Sequence, residues 1–172
     1  MTDTQITVIK TALDWARAEM ISSALFAICG VLFLTASFCF WQFGKADMAR
    51  AYIIPLLVTG LLLMILGIGL IVPNYLRLSS FPDAFQADAA IFIADELARV
   101  DKTMKGYNNA LFVIFPAIIM ACAVILMIMR TPIWQASAIS VIAMIAILLV
   151  IDSNANARLG TYKAELEQAQ KP

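Results

Sequence analysis

Histidine occurs nowhere in the 172 residues. Its absence removes histidine-ligated haem, most catalytic zinc sites and the usual proton shuttle near neutral pH. Cysteine is scarce too: Cys29, Cys39 and Cys122 all fall inside apolar runs, and no CxxC pair exists. That disfavours a disulfide oxidoreductase and leaves the three as small apolar residues. Charge is low, at 14%, and balanced, with twelve acidic and twelve basic residues. A field of one sign, of the kind that draws nucleic acid, is therefore missing. No cofactor and no nucleic-acid partner is expected.

What the sequence has instead is apolar length. Ile21–Phe43, Ala51–Val72, Asn109–Met129 and Ile133–Ile151 contain no Asp, Glu, Lys or Arg. About 20 helical residues cross the hydrocarbon core of a bilayer, so each of these runs predicts a transmembrane helix. The first run is longer than a signal-peptide core and follows Asp3, Asp14 and Glu19 rather than a short basic segment, so it is expected to be retained. The predicted fold class is all-α: a polytopic membrane protein whose four spans form two antiparallel hairpins, accompanied by cytoplasmic amphipathic helices.

A single membrane domain is expected over 1–172, divided by the hydrophilic stretch from Asn74 to Asn109. Residues 1–20 place Ile6, Ile9, Leu13, Ala16 and Met20 on one stripe, predicting an amphipathic N-terminal helix with a capping box of Thr2 and Gln5 and with Trp15 at headgroup level. A plain extension of the first span is the alternative. Residues 21–72 form the first hairpin. In its first span Ser23, Ala27, Gly30 and Ser37 make a small-residue stripe, and Pro55, Thr59, Gly60, Gly67 and Gly69 loosen or narrow its second. Within 73–108, Pro73-Asn74 is expected to end that span, and Asp83 with Gln86 to cap an amphipathic helix from about Ala84 to Lys105. Its polar side carries Asp88, Asp95, Glu96, Arg99, Asp101 and Lys102, a solvated face or a docking surface. Residues 109–151 form the second hairpin, where Pro116 predicts a kink and Ala117 with Ala121 a small pair one turn apart. In 152–172, Ala155, Leu159, Tyr162 and Leu166 predict a helical tail continuing from the fourth span.

The halves share one plan, and Ser22-Ser23-Ala24-Leu25-Phe26-Ala27-Ile28 matches Asn108-Asn109-Ala110-Leu111-Phe112-Val113-Ile114 in pattern. Each half holds an even number of spans, so a repeat would be parallel, about an axis along the membrane normal. Lys10, Arg17, Arg77, Arg99, Lys102, Lys105, Arg158, Lys163 and Lys171 share the side of the termini; only Lys45, Arg50 and Arg130 lie opposite. The positive-inside rule then puts both termini and the central segment in the cytoplasm of a bacterial inner membrane.

Candidate chemistry is sparse. Intramembrane ionisable residues mark transporters, and the span interiors have none; Thr35, Gln42 and Thr59 are their main polar residues. That argues against a proton-coupled small multidrug exporter. Glu19, Asp95, Glu96 and Asp101 are a weak metal set without histidine, and Asp152 with Arg158 reads as an interfacial ion pair. No enzyme is expected, because no nucleophile, acid and base share a convincing spacing.

Glu96-Leu97-Ala98-Arg99-Val100, then Met104 and Tyr107, and Asp152, Arg158, Tyr162 and Leu166 form a loose pattern, mainly in the second half. With it the chain resembles small bacterial inner-membrane proteins, some of which are immunity partners of interbacterial toxins that attack the membrane. The resemblance implies protein binding within the bilayer, with a toxin or another membrane protein as partner. The expected partner-binding residues are Gly60, Gly67, Gly69, Ala117 and Ala121 in the spans, with Asp95, Glu96 and Arg99 on the central helix. An accessory subunit of a larger complex, and a small channel or carrier built as a homo-oligomer, are the alternatives.

Overall fold

The computed structural model describes residues 3–170. The proposed capping box rests on Thr2, which lies outside the described residues, as does Lys171. Among the described residues there is no strand. The order is α1 (Asp3–Phe43), α2 (Asp47–Ala51), α3 (Ile53–Ala87), α4 (Ala89–Asn109), a π-helical turn (Ala110–Ile114), α5 (Phe115–Ile128) and α6 (Pro132–Gln170). Four stretches are long and apolar enough to cross a membrane: Ile6–Phe43, Asp47–Ala87, Ala89–Ile128 and Pro132–Gln170.

Helix length is the informative feature. At about 1.5 Å per residue, the 41 residues of α1 measure about 60 Å, roughly twice a hydrocarbon core of about 30 Å. α6, with 39 residues, is nearly as long. The apolar run therefore occupies only part of each helix, and the rest projects as helix.

α1 and α3 lie closely side by side. Ser37 donates its hydroxyl to the Ile53 carbonyl at 2.7 Å. Further along, Gly30 faces Gly60 and Met64, and Gly67 faces Ser23 and Ala27. Contact partners thus rise on one helix as they fall on the other, so the two run antiparallel. Without a hydrophobic effect between helices in lipid, such backbone proximity gives the dispersion contacts that hold them. α5 packs chiefly against α6, through Phe115 and Ile145, joined by Leu111 of the preceding π-helical turn.

The largest buried cluster lies where the projecting ends meet. It joins Val8, Ala12, Trp15 and Ala16 of α1, Phe81 and Phe85 of α3, Phe92, Ile93 and Val100 of α4, and Leu159, Tyr162 and Leu166 of α6.

This cluster explains how the structure stands against the sequence expectations. Of the two readings of residues 1–20, the plain extension of the first span is found: α1 does not break near Met20, and the uninterrupted helix carries Trp15 into the cluster. Trp15 is 7% exposed and does not stand at a free headgroup surface. α3 runs on through Pro73 and Pro82 instead of ending at Pro73-Asn74. An interior proline costs a helix about 3 kcal/mol. Continuation buries Phe81 and Phe85, each edge-on to Phe92 at 5.3 and 5.4 Å, and Asn74 Nδ2 donates to the Leu70 carbonyl at 2.9 Å in the loosened turn. The start of α4 shifts accordingly. Asp88, not Asp83, is its cap, with φ −157 and ψ 105 and a carboxylate that accepts from the Ala90 and Ile91 N–H groups.

Pro116 is accommodated by the π-helical turn just before it, in which the Phe115 N–H reaches back to the Ala110 carbonyl. Proline removes a donor from the regular ladder, and one wider turn re-pairs the neighbouring groups.

Candidate functional site

A layer of polar side chains crosses the molecule between the apolar runs and the terminal cluster. α1 supplies Trp15, Glu19 and Ser22, a stripe at spacings of four and three. α3 supplies Asn74 and Arg77, α4 supplies Glu96, Arg99 and Tyr107, and α6 supplies Asp152, Arg158 and Tyr162.

One half of the layer centres on Glu96, which is 6% exposed. Arg99 holds it in a bidentate pair, Nε to Oε1 at 2.8 Å and Nη2 to Oε2 at 2.6 Å. The Tyr162 hydroxyl donates to Oε2 at 2.9 Å. Tyr162 also stacks on Trp15, and the Arg99 guanidinium carbon lies 4.4 Å from the centroid of the Trp15 ring. The other half centres on Glu19, 8% exposed. It accepts from the Tyr107 hydroxyl at 3.0 Å and from Arg158 Nη2 at 3.3 Å, and the same nitrogen donates to Ser22 Oγ at 2.6 Å.

The electrostatics follow from burial beside carboxylates. Desolvation first, then Glu96, pushes the Tyr162 hydroxyl far above its usual range. Desolvation and Glu19 do the same to Tyr107. Both phenols therefore remain protonated donors. Burial opposes the charge of Arg99, but the hydrogen bond and charge of Glu96 outweigh it and raise the group. Asp152, just beyond the fourth span, is pushed up to about 6 by burial and by Glu19.

Buried ion pairs of this kind cost desolvation as well as returning Coulomb energy, and their better-attested use is to fix which surfaces meet. Here the Glu19–Arg158 pair joins α1 to α6, and the Tyr107 and Tyr162 hydroxyls tie both carboxylates across α1, α4 and α6, so the layer fixes the mutual register of three helices. Each carboxylate is held by one arginine and one tyrosine.

The residues singled out in the sequence do not form one surface. A methyl group at Gly67 would lie 2.7 Å from Ala27 N and Ser23 O, and one at Gly60 3.0 Å from Gly30 O. Both glycines are therefore closed against α1. Gly69 faces open space. Ala117 and Ala121 are exposed on α5, and Asp95 is exposed on α4. Glu96 and Arg99 turn inward, a correction to the solvated face expected for them. The weak metal set is dispersed: Glu19 and Glu96 sit in separate arginine pairs, and Asp95 and Asp101 are exposed. Among the described residues, no three His, Cys, Asp or Glu side chains gather as metal ligands. Arg158 pairs with Glu19 rather than with Asp152.

Sequence reasoning did not single out Ser22, Asn74 or Arg77 as site residues. A signal existed: polar residues on the apolar stripe of a helix, such as Glu19 one turn from Trp15, mark a buried network. No protein-family model matches this chain, and neither a curated protein nor a solved structure is significantly similar to it.

Proposed function

We propose that this chain is a non-enzymatic multi-pass protein of the bacterial inner membrane that binds another membrane protein, and that the partner is a membrane-acting toxin it neutralises in the bilayer. Its spans form two antiparallel hairpins, Ile21–Phe43 with Ala51–Val72 and Asn109–Met129 with Ile133–Ile151. The long helix ends lie in the cytoplasm, where nine of the twelve basic residues are. Trp41, Phe43 and Trp134, all strongly exposed, suit the opposite interface.

The observation that carries the reading is the open face of α5. Its apolar stretch is 11% buried, against 22–28% for the other three. On that face Ala117 and Ala121, one turn apart, stand outward between Phe112, Val113, Met120 and Val124. Small residues at this spacing allow close approach of a second helix, and among the described residues both are left exposed. A toxin helix seated there would be kept from assembling into a pore. Gly60 and Gly67 cannot serve in the same way, because they already face α1, whereas Gly69 is open.

The accessory-subunit reading is favoured by one observation, the outer edge of α4, where Asp95 and Lys102 are exposed.

Affinity purification of the tagged chain from native membranes, compared with an Ala117→Leu/Ala121→Leu variant, tests the proposal. Recovery of one toxin-like membrane protein with the wild type, and its loss with an inserted variant, is expected. Equal recovery with both rejects the α5 surface. A stable multi-subunit assembly released by charge reversal at Asp95 makes the chain an accessory subunit. Recovery of the chain alone, with ion flux in liposomes, makes it a channel.

A further inference from the structure

Three arginines reach the polar layer, but carboxylates pair with only two of them: Glu96 with Arg99, and Glu19 with Arg158. Arg77 is left over. Its Nη1 donates to Asn74 Oδ1 at 2.7 Å, and its guanidinium carbon lies 5.8 Å from the centroid of the Trp15 ring. It forms no ion pair among the described residues. Asn74 is 2% exposed and anchored on the Leu70 carbonyl, so it orients the guanidinium without neutralising it. Asp152, the third carboxylate of the layer, acts on the Glu19 side; the carboxylates that act on Arg77 are Glu96 and Glu19, and each is already held by another arginine.

A second donor is also spare. The indole Nε1 of Trp15, a residue 7% exposed, is buried with no acceptor. Burial and the neighbouring Arg99 cation push Arg77 down from its usual range, and the charges of Glu96 and Glu19 offset them only in part. Among the described residues this corner therefore holds a cation with no carboxylate in contact with it.

Its depth identifies the source of a counter-anion. Arg77 lies five residues beyond Val72, the end of the second apolar run. At about 1.5 Å per residue that is about 7.5 Å past the hydrocarbon edge, within the headgroup layer. Tyr75 and Leu76, 63% and 57% exposed, flank it on the outside of α3. A tyrosine so placed is at home at the interface.

We propose that Arg77, oriented by Asn74 and set beside the indole of Trp15, binds the phosphodiester of a lipid headgroup that carries net negative charge. A guanidinium matches a phosphate through paired N–H donors, and a zwitterionic lipid arrives with its own cation and leaves the excess charge uncompensated. The proposal rests on the reading that the chain spans the membrane. Inorganic phosphate offers the same chemistry in a free ion, and the depth of the site selects the lipid.

The test titrates the full chain, in mild detergent, with phosphatidylglycerol, phosphatidylcholine or inorganic phosphate, and follows binding by native mass spectrometry and thermal stability. Wild type is expected to prefer phosphatidylglycerol. Arg77→Gln should weaken that binding about tenfold, the value of one charge-assisted hydrogen bond. Arg77→Lys should retain most of it, and Arg50→Gln, at the opposite interface, should change nothing. Equal affinity of Arg77→Gln and wild type, or of the two lipids, overturns the proposal. Stabilisation by phosphate equal to that by phosphatidylglycerol overturns the lipid as its source. Should Arg77→Gln fail to fold, the wild type still decides, because equal affinity for the two lipids overturns the proposal by itself. Alkaline carbonate extraction separates the two readings. Release from membranes sinks the spanning reading, whereas retention without lipid preference sinks only this site.

Discussion

Trp15 and Tyr162 lie face to face, ring centroids 5.4 Å apart and planes 11° from parallel, although they come from the first and last long helices of the chain. The contact closes α1 on α6 and, through the Tyr162 hydroxyl, ties both to Glu96 of α4. Tyr162→Phe keeps the stack and removes that donor from a buried carboxylate. A loss of about 1–3 kcal/mol is expected, read as a lower melting temperature in detergent. An unchanged melt would mean that Arg99 alone satisfies Glu96.

Arg99→Met leaves Glu96 buried without its cation, a loss of about 3–5 kcal/mol. The double variant Glu96→Gln/Arg99→Met removes both charges and should recover a large part of that. Chemical denaturation of the single and double variants checks the ordering. A double variant less stable than Arg99→Met would contradict the pairing.

Gly67→Ala should be destabilising by about 1–3 kcal/mol, because the added methyl meets the backbone of α1. Gly69→Ala meets nothing within 4 Å and should be neutral or gain up to about 1 kcal/mol in helix propensity. Melting curves of the two variants side by side decide it, and equal effects would refute the close approach of α1 and α3.

The start of α4 separates two capping assignments. Asp88→Ala should cost about 1 kcal/mol, while Asp83→Ala, exposed inside α3, should stay within about 0.5 kcal/mol. The reverse order in thermal melts would restore the cap at Asp83.

Asp152 gives the protein a pH dependence of definite sign. Its carboxyl is raised from 3.8 to about 6 by burial and by Glu19, so the folded chain holds a proton that the unfolded chain has lost between those values. Its contribution to stability is fully present below pH 3.8 and is lost as pH rises through about 6. Melting temperatures from pH 4 to 8 should fall across that window. Asp152→Asn, which stays neutral, should flatten this part of the profile and raise the melt at pH 7. A profile identical to wild type would show that the step belongs to another group.

The sequence by itself determined the solvent and the class of secondary structure. Runs such as Ala51–Val72 and Asn109–Met129 are free of charge from end to end, and transfer into hydrocarbon depends on residues added one by one along a local window. That property needs no knowledge of neighbours, so four apolar helices were legible. Glu96 could not be read the same way. Charged residues surround it on α4, and whether it faces water or the core depends on a rotation that only its partners set: Arg99 one turn away, but Tyr162 from a distant helix. The contacts of Glu19 with Tyr107 and Arg158, which span 88 and 139 residues, were hidden for the same reason. Helix ends were decided there too. Pro73 is a local stop signal, and tertiary structure overrode it because Phe81 and Phe85 are buried only if α3 continues. Local free energies fixed which segments leave water; the pairing of buried charges and rings, a property of the assembled helices alone, decided where those segments extend and which polar side chains they bring together.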